Sequence, residues 1–433
     1  MSSTRPRELA LVAGLRTPFC RAGTELRDAS AADLATHVFR EILDRTGLDP
    51  AAVDEVILGC GGADAREANV ARVAALRAGV PAHVPALTVQ RNCASGMESI
   101  HQAWLRLQAG EGEVFLVGGT ESMSNYPLVM NERMKGMFEK MARARSAWQR
   151  GRAAAGFRPG HLKPRIALQE GLTDPVSGLI MGMTAERVAR RFGVSRQAQD
   201  QFALRSHQHA AAAAAAGRLS AEIAPLAPPP RFARIVVEDN GIRRGQSIEA
   251  LANLKPVFDK RNGDVTVGNA CQITDGAAAL LLVSTARAER LGLRPLALVR
   301  GLGQAGLTPA EMGLGPVHAT PRALAAAEVA FDALEVLEIN EAFAGQVLAC
   351  MRAFADARYC RDEVGLDQAL GEVDPDRVNV NGGAIALGHP IAASGVRIVL
   401  TLANELRRQS ARLGLATMCI GGGQGQAVVL EAA

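Results

Sequence analysis

Aromatic side chains are scarce, 4% of 433 residues, so the chain offers few platforms on which unpaired bases could stack. Excess charge of one sign is also missing. With a net charge of +4, 21% charged and 48% hydrophobic residues, the composition excludes a disordered or nucleic-acid-coating protein. No apolar run approaches the roughly 18 to 20 residues that a membrane-spanning helix needs. A signal-peptide pattern is absent too, because Met1-Ser2-Ser3-Thr4 leads almost directly into the strand-like Leu9-Ala10-Leu11-Val12. The seven cysteines are odd in number, scattered and without a CxxC pair, which argues against a disulfide framework and a zinc ribbon. The expected setting is therefore cytoplasmic and reducing, with each thiol either core filler or reactive, and with no metal site.

What is present is an alternation of short β-rich runs and amphipathic helices, the signature of an α/β fold. At roughly 150 residues per domain the length leaves room for about three packed units. Strands are predicted at Leu9–Val12, Val56–Leu58, Ala86–Val89 and Val114–Val117, and a helix over Ala31–Thr46 with Leu34, Val38, Ile42 and Leu43 on one face. Ser30 or Asp28 can cap it. An internal echo follows. Ala94-Ser95-Gly96 opens a helix with apolar Met97, Ile100, Trp104 and Leu107, which leads into the strand Val114–Val117 and Gly118-Gly119. Ala393-Ser394-Gly395 opens a second such helix, followed by the strand Leu415–Ile420 and Gly421-Gly422-Gly423. Tripeptide, helix and glycine-ended strand recur in one order, which implies two similar halves. Between them, residues 125–248 read as an inserted, mostly helical domain with a seven-alanine run at Ala210–Ala216 and a break at Pro228-Pro229-Pro230. From Leu128 to Arg165 there are ten Lys or Arg against two Asp or Glu, a local charge of +8 that leaves −4 for the remainder. Met130, Met134, Met137, Phe138 and Met141 recur there at helical spacing, so this segment either packs on its own domain, faces a membrane surface or partner, or lies near an anionic ligand.

Four segments carry chemistry. Cys93 sits between a predicted strand and a predicted helix, where unpaired N–H groups and the helix dipole favour a thiolate. The bland alternative is a packing thiol. His389, in the Gly-rich run Asn381–Pro390, occupies nearly the equivalent place in the second half. If the halves pack about a pseudo-twofold axis, the imidazole approaches Cys93 as a base beside a nucleophile; otherwise it is a loop histidine with a backbone partner. Cys419 precedes Gly421-Gly422-Gly423 and is either core filler or an acid/base beside oxyanion-binding N–H groups. Asn340-Glu341-Ala342-Phe343 follows Val336–Ile339, at a strand end where side chains reach a cleft, and either caps the next helix or holds a water or substrate oxygen.

Together Cys93-Ala94-Ser95-Gly96, Asn340-Glu341-Ala342-Phe343, Gly388-His389-Pro390 and Cys419-Ile420-Gly421-Gly422-Gly423 resemble the motifs of the thiolase family. Asp239–Phe258, Gly268-Asn269-Ala270 and Asp275-Gly276-Ala277-Ala278 extend the resemblance over essentially the whole chain. It implies a five-layered α/β/α/β/α core of two duplicated halves, residues 1–124 with 249–285 and residues 286–433, with the loop domain 125–248 inserted. It implies that Cys93 attacks a 3-ketoacyl-CoA with help from His389, that Asn340 holds a water, and that Cys419 is the second acid/base. The N–H groups of Cys93 and Gly421 would bind the thioester oxyanion. The resemblance also implies CoA contacts at Met181, Arg243, Phe258, Cys271 and Phe343, with CoA a substrate and no tightly bound cofactor. Two departures stand out. Ile180-Met181-Gly182 replaces the His-Met-Gly of many short-chain members, and Cys271 replaces a serine. The basic segment before Gly182, with Leu314-Gly315-Pro316 and His318-Ala319-Thr320-Pro321, looks most like the degradative members of the fatty-acid oxidation complex. A homodimer, a tetramer, a complex with a hydratase/dehydrogenase subunit and peripheral membrane contact through 128–165 are all left open; no nucleic-acid partner is expected. The rival readings are a short-chain acetyl-CoA acetyltransferase, a ketoacyl synthase and a non-catalytic acyl-CoA- or lipid-binding relative.

Overall fold

Helix α1 (Ala31–Thr46) forms on the residues whose spacing predicts it. Ser30 accepts the N–H of Asp33 while the Asp33 carboxylate accepts the N–H of Ser30, which satisfies two donors that a bare helix start leaves open. Gly47 ends the helix at φ 63°, a left-handed conformation that costs a glycine nothing. The computed structural model describes residues 7–433, so the opening Met1-Ser2-Ser3-Thr4 lies outside the described residues.

The first half is built on β1 (Leu9–Arg16), β2 (Glu55–Gly59), β3 (Ala86–Val89), β4 (Val114–Ser122) and β5 (Thr274–Ser284), with α2 (Val70–Arg77) and α3 (Ser95–Ala109). Its strand order is β3-β2-β4-β5-β1. The first three run parallel, as crossover helices require, and β5 is antiparallel to both β4 and β1. The insert supplies α4 (Glu132–Arg143), α5 (Ala147–Ala155), α6 (Met181–Arg191) and α7 (Arg196–Ala215), the last of which takes up most of the alanine run. The second half has β6 (Ala297–Gly306), β7 (Val336–Ile339), β8 (Leu413–Ile420) and β9 (Gln424–Ala432), with α8 (Gly315–Ala327), α9 (Ala344–Ala355) and α10 (Ile391–Gln409). Its order is β7-β8-β9-β6, with β7 parallel to β8 and the other pairs antiparallel. Val378 pairs in parallel with Leu337 of β7, where β3 pairs with β2 in the first half. The duplication is thus visible strand by strand, and the two sheets join where β1 lies antiparallel to β6, Leu9 opposite Val299.

Five layers result. Helices α1 and α2 cover the outer face of the first sheet, α8 and α9 cover that of the second, and α3 and α10 lie between the sheets. A helix in that position must be apolar nearly all round, and α10 buries fourteen of its nineteen residues. The two central helices touch through their glycines. A Cβ at Gly96 would strike the carbonyl of Ala392, and one at Gly395 would lie 2.9 Å from Cβ of Met97. Each echo tripeptide therefore supplies the close approach for the other half's helix.

Boundaries shift modestly from the predicted ones. Helix α10 starts at Ile391, two residues before the expected Ala393, because Pro390 at its cap pre-sets the entry. Strand β8 begins at Leu413 and β4 runs on to Ser122. In the insert no residue from 128 to 165 is buried. Met134, Met137 and Met141 are half-buried, whereas Met130 and Phe138 are exposed.

Candidate active site

Cys93 lies in the turn from β3 to α3 and is half-buried. Ser95 ties this turn down, its Oγ accepting the N–H of Arg91 at 2.8 Å and donating to the carbonyl of Asn92 at 2.7 Å. The expectation that the helix start favours a thiolate needs correction. Burial pushes the Cys93 thiol up, and the N–H groups of Gly421 and of Cys93 itself offset this only in part. The negative charge of Glu121 adds to the upward shift. An adjacent base is therefore needed to make a nucleophile of Cys93.

His389 is the base that the sequence reading puts forward. It stands just before α10, its N–H donating to the Gln272 carbonyl at 3.0 Å and its Nδ1 2.6 Å from Ser394 Oγ. Ser394 in turn reaches the Pro390 carbonyl at 3.4 Å. With its hydroxyl hydrogen on that carbonyl, Ser394 accepts from Nδ1–H and leaves the lone pair on Nε2. Burial, with the charge of Arg397, lowers the imidazole to about 4, so it is neutral at pH 7. His389 Nε2 and both side-chain polar atoms of Asn340 are buried without a protein partner. Buried polar atoms of this kind are normally matched by a water or a ligand.

Asn340 directly follows β7, its N–H donating to the carbonyl of Thr417 at 3.0 Å. Two residues beyond Thr417 on β8 stands Cys419, 1% exposed. Burial and the neighbouring Cys93, Cys350 and Cys271 hold this thiol well above its ordinary range. At rest Cys419 is therefore a thiol, a proton donor first. It shares an apolar cluster with Met181, Phe258 and Phe343. Phe343 meets Phe258 edge-on at 6.3 Å between ring centroids, and a Cβ at Gly421 would lie 3.3 Å from Met181 Sδ. Cys271, half-buried, donates its N–H to the Ala342 carbonyl at 3.0 Å and is pushed up to about 12 by burial and by Cys93.

A cavity of about 680 Å³ opens over Cys93, Gly421 and Met181 and extends to Pro127, Leu168 and Val176 of the insert. His389, Asn340 and Cys419 are not among its lining residues. Arg243 and Cys271 are the two proposed contacts outside both the cavity lining and the apolar cluster, and Arg243 lies on the surface. Its side chain is exposed and its N–H donates to His207 Nδ1 at 3.2 Å. Among the described residues no group of three or more His, Cys, Asp or Glu side chains is arranged to hold a metal ion.

Two supports escape the sequence reading. Ser394 is legible there only as part of a repeat, yet it is the imidazole's partner; the repeated tripeptide beside His389 is the signal that could have found it. Glu121, two residues past the expected strand end at Gly119, is fully buried and accepts the N–H groups of Gly61, Gly62 and Ala392 at 3.1, 2.8 and 3.2 Å and the hydroxyl of Tyr126 at 2.8 Å. It thereby fastens the cavity wall to the start of α10. No periodicity announces such a carboxylate.

Known proteins supply an independent measure. The family model for the thiolase N-terminal domain matches residues 9–286, and that for the thiolase C-terminal domain matches residues 293–432. A 3-ketoacyl-CoA thiolase of Pectobacterium atrosepticum is 39% identical over 98% of this chain and 96% of its own. An acetyl-CoA acetyltransferase of Pseudomonas aeruginosa is 42% identical over 98% and 99%. Among solved structures, the Bacillus anthracis acetyl-CoA acetyltransferase superposes with a TM-score of 0.86 at 37% identity, covering both chains completely. The human mitochondrial 3-ketoacyl-CoA thiolase in complex with CoA gives 0.85 at 36%, over 99% of this chain and 98% of that one.

Proposed function

The chain belongs to the thiolase family of acyltransferases, and from that premise we propose that it is a degradative 3-ketoacyl-CoA thiolase. In this reading His389 Nε2 takes the proton of Cys93, whose sulfur attacks the 3-keto carbon of 3-ketoacyl-CoA. The bond between C2 and C3 breaks, leaving an acyl group on Cys93 and the enolate of acetyl-CoA. His389 and a water held by Asn340 stabilise that enolate, and the Cys419 thiol protonates it. Cys419, now a thiolate, deprotonates incoming CoA. The CoA thiolate attacks the acyl-Cys93 thioester, releasing a shortened acyl-CoA and freeing Cys93. The N–H groups of Cys93 and Gly421 hold the thioester oxygen as it gains charge. CoA enters as a substrate, along the apolar cluster of Met181, Phe258 and Phe343, with Cys271 and Arg243 carried over from the family resemblance as further contacts, Arg243 for its phosphates.

The observation that carries the degradative reading is the cavity of about 680 Å³ running from Cys93 to Pro127, Leu168 and Val176, room for an acyl tail well beyond acetoacetyl. The test is CoA-dependent thiolysis over a series from acetoacetyl-CoA to long-chain 3-ketoacyl-CoA, with Cys93→Ala as the blank. Turnover rising with chain length is the expected result. Turnover confined to acetoacetyl-CoA would make it a short-chain acetyltransferase, and acyl-CoA binding without turnover at any length would make it a non-catalytic relative. We further propose that the protein works as a homodimer or tetramer, or with a hydratase/dehydrogenase subunit, and that segment 128–165 supplies a contact surface. The support is the absence of any buried residue there, with Trp148 71% and Leu128 68% exposed.

A further inference from the structure

We infer that Asn92 is a positioning residue that holds the Gly421 turn over Cys93 and so sets the geometry of the site for the thioester oxygen. Asn92 immediately precedes the nucleophile and belongs to none of the four motifs. Its φ is +44°, in the left-handed region that strains most L-residues and that asparagine tolerates best after glycine. From there its Nδ2–H donates to the carbonyl of Gly421 at 2.7 Å, across 329 residues of sequence and from one duplicated half to the other. The same glycine lines the cavity beside Cys93, and its N–H favours the Cys93 thiolate. The residue beside the sulfur thus holds the residue that serves the sulfur.

The turn needs such a hold because its own backbone is soft. Gly422 and Gly423 take φ values of +91° and +78°, and a run of three glycines has broad conformational freedom of its own. Its far end is secured by the N–H of Leu307 on the Gly423 carbonyl at 2.8 Å, and beyond the turn Arg91 Nη1 donates to Gln424 Oε1 at 3.0 Å. Among the described residues the Gly421 carbonyl receives its side-chain donor from Asn92. Van der Waals packing at the near end is thin. A Cβ at Gly421 would meet only Met181 Sδ, and one at Gly422 only Asn92 Nδ2, at 3.8 Å. An oxyanion donor is effective only when it is fixed before charge develops, and a misplacement of about 1 Å can cost about 100-fold in rate. Loss of the Asn92 donor should therefore slow every step that builds charge on the thioester oxygen; Asn92 also lines the cavity, so the mark of its positioning role is a fall in kcat that exceeds any change in KM.

The inference rests on the thiolase reading for its kinetics but not for its geometry, and the test uses both. The variants are Asn92→Gly, which keeps the left-handed backbone and removes the donor, and Asn92→Asp, which keeps the shape and presents an acceptor to a carbonyl. Thiolysis kinetics should show kcat down about 10- to 100-fold with KM within about 2-fold, and acylation and deacylation of Cys93, followed by mass, slowed in proportion. The thermal midpoint of Asn92→Gly should be unchanged. Alkylation of Cys93 by iodoacetamide needs no substrate, and its midpoint pH should move upward as the Gly421 N–H drifts from the sulfur. A wild-type protein without thiolysis but with that shift in the variants would overturn the thiolase reading and keep Asn92 in its role. Variants that match an active wild type in kcat and in alkylation, or that raise KM alone, would overturn the inference.

Discussion

Three polar atoms are buried without protein partners, His389 Nε2 and the two of the Asn340 carboxamide, and burial keeps the His389 imidazole and the Cys419 thiol uncharged. Charge is therefore made in the reaction rather than stored at rest. The two thiols then differ in what their loss does. Cys93→Ala should form no acyl-enzyme, whereas Cys419→Ala should accept an acyl group from acyl-CoA and fail to pass it on, with turnover down about 100- to 10,000-fold, the range of a lost acid/base. Trapping labelled acyl group on both variants, or on neither, would show that the roles are misassigned. His389 makes a prediction about pH. Its proton affinity is lowered to about 4 by burial, so the acid limb of kcat/KM should fall near pH 4 to 5 rather than near the ordinary imidazole value of about 6.5. Stability follows the same sign. The unfolded imidazole gains its proton as pH drops through about 6.5 while the folded one does not until about 4, so folding stability is lost across that window and is flat above it. Ser394→Ala, which removes the acceptor that fixes Nδ1–H, should lower kcat without bringing the limb back toward about 6.5, because burial and Arg397 set the limb, and Ser394→Thr should restore kcat; a limb at about 6.5 in the wild type would contradict the burial argument. At this scale Cys93, His389, Asn340 and Cys419 are legible in the sequence because each abuts a glycine turn or a strand end. Glu121 and Asn92 are not, because their partners are chiefly backbone groups tens to hundreds of residues away, and Ser394, five residues from His389, shows only as part of the repeat.

Helices α3 and α10 decide whether the two halves meet, and they do so through glycine. Gly96→Val would set a branched side chain against the Ala392 carbonyl and Val396, and Gly395→Val would set one against Met97. Overpacking of this kind costs about 1 to 3 kcal/mol. Each should lower the urea midpoint and also slow thiolysis, because Gly96 lies three residues from Cys93 and Gly395 six from His389. An unchanged midpoint in both variants would mean that the helices can slide apart at no cost, against the close packing described. The echo of Ala-Ser-Gly was readable in one dimension, and its physical reason is this mutual contact. The start of α10 was displaced because helix spacing alone does not show that Pro390 can cap. The insert was harder still, since amphipathic spacing in α4 says which residues share a face and nothing about what covers it.

Over the whole molecule the charge is divided, +8 on residues 128–165 and −4 on the rest. Like charges keep two inserts from stacking on each other, while the acidic remainder of a second copy, or an acidic partner subunit, attracts one. The insert also presents Phe138, 44% exposed, and Trp148, whose ring lies 5.5 Å from the Arg152 guanidinium. Neither side chain belongs to a buried cluster of the chain, so Phe138→Ser with Trp148→Ser should leave the unfolding midpoint within about 0.5 kcal/mol of wild type and thiolysis unchanged. What should change is assembly. In light scattering coupled to size separation the wild type should exceed the mass of one chain, and the double variant should give a smaller species, with the difference growing in low salt where attraction between insert and body is least screened. A double variant with the wild-type mass would show that assembly uses another face, and a wild type that runs as one chain would remove the oligomeric reading altogether.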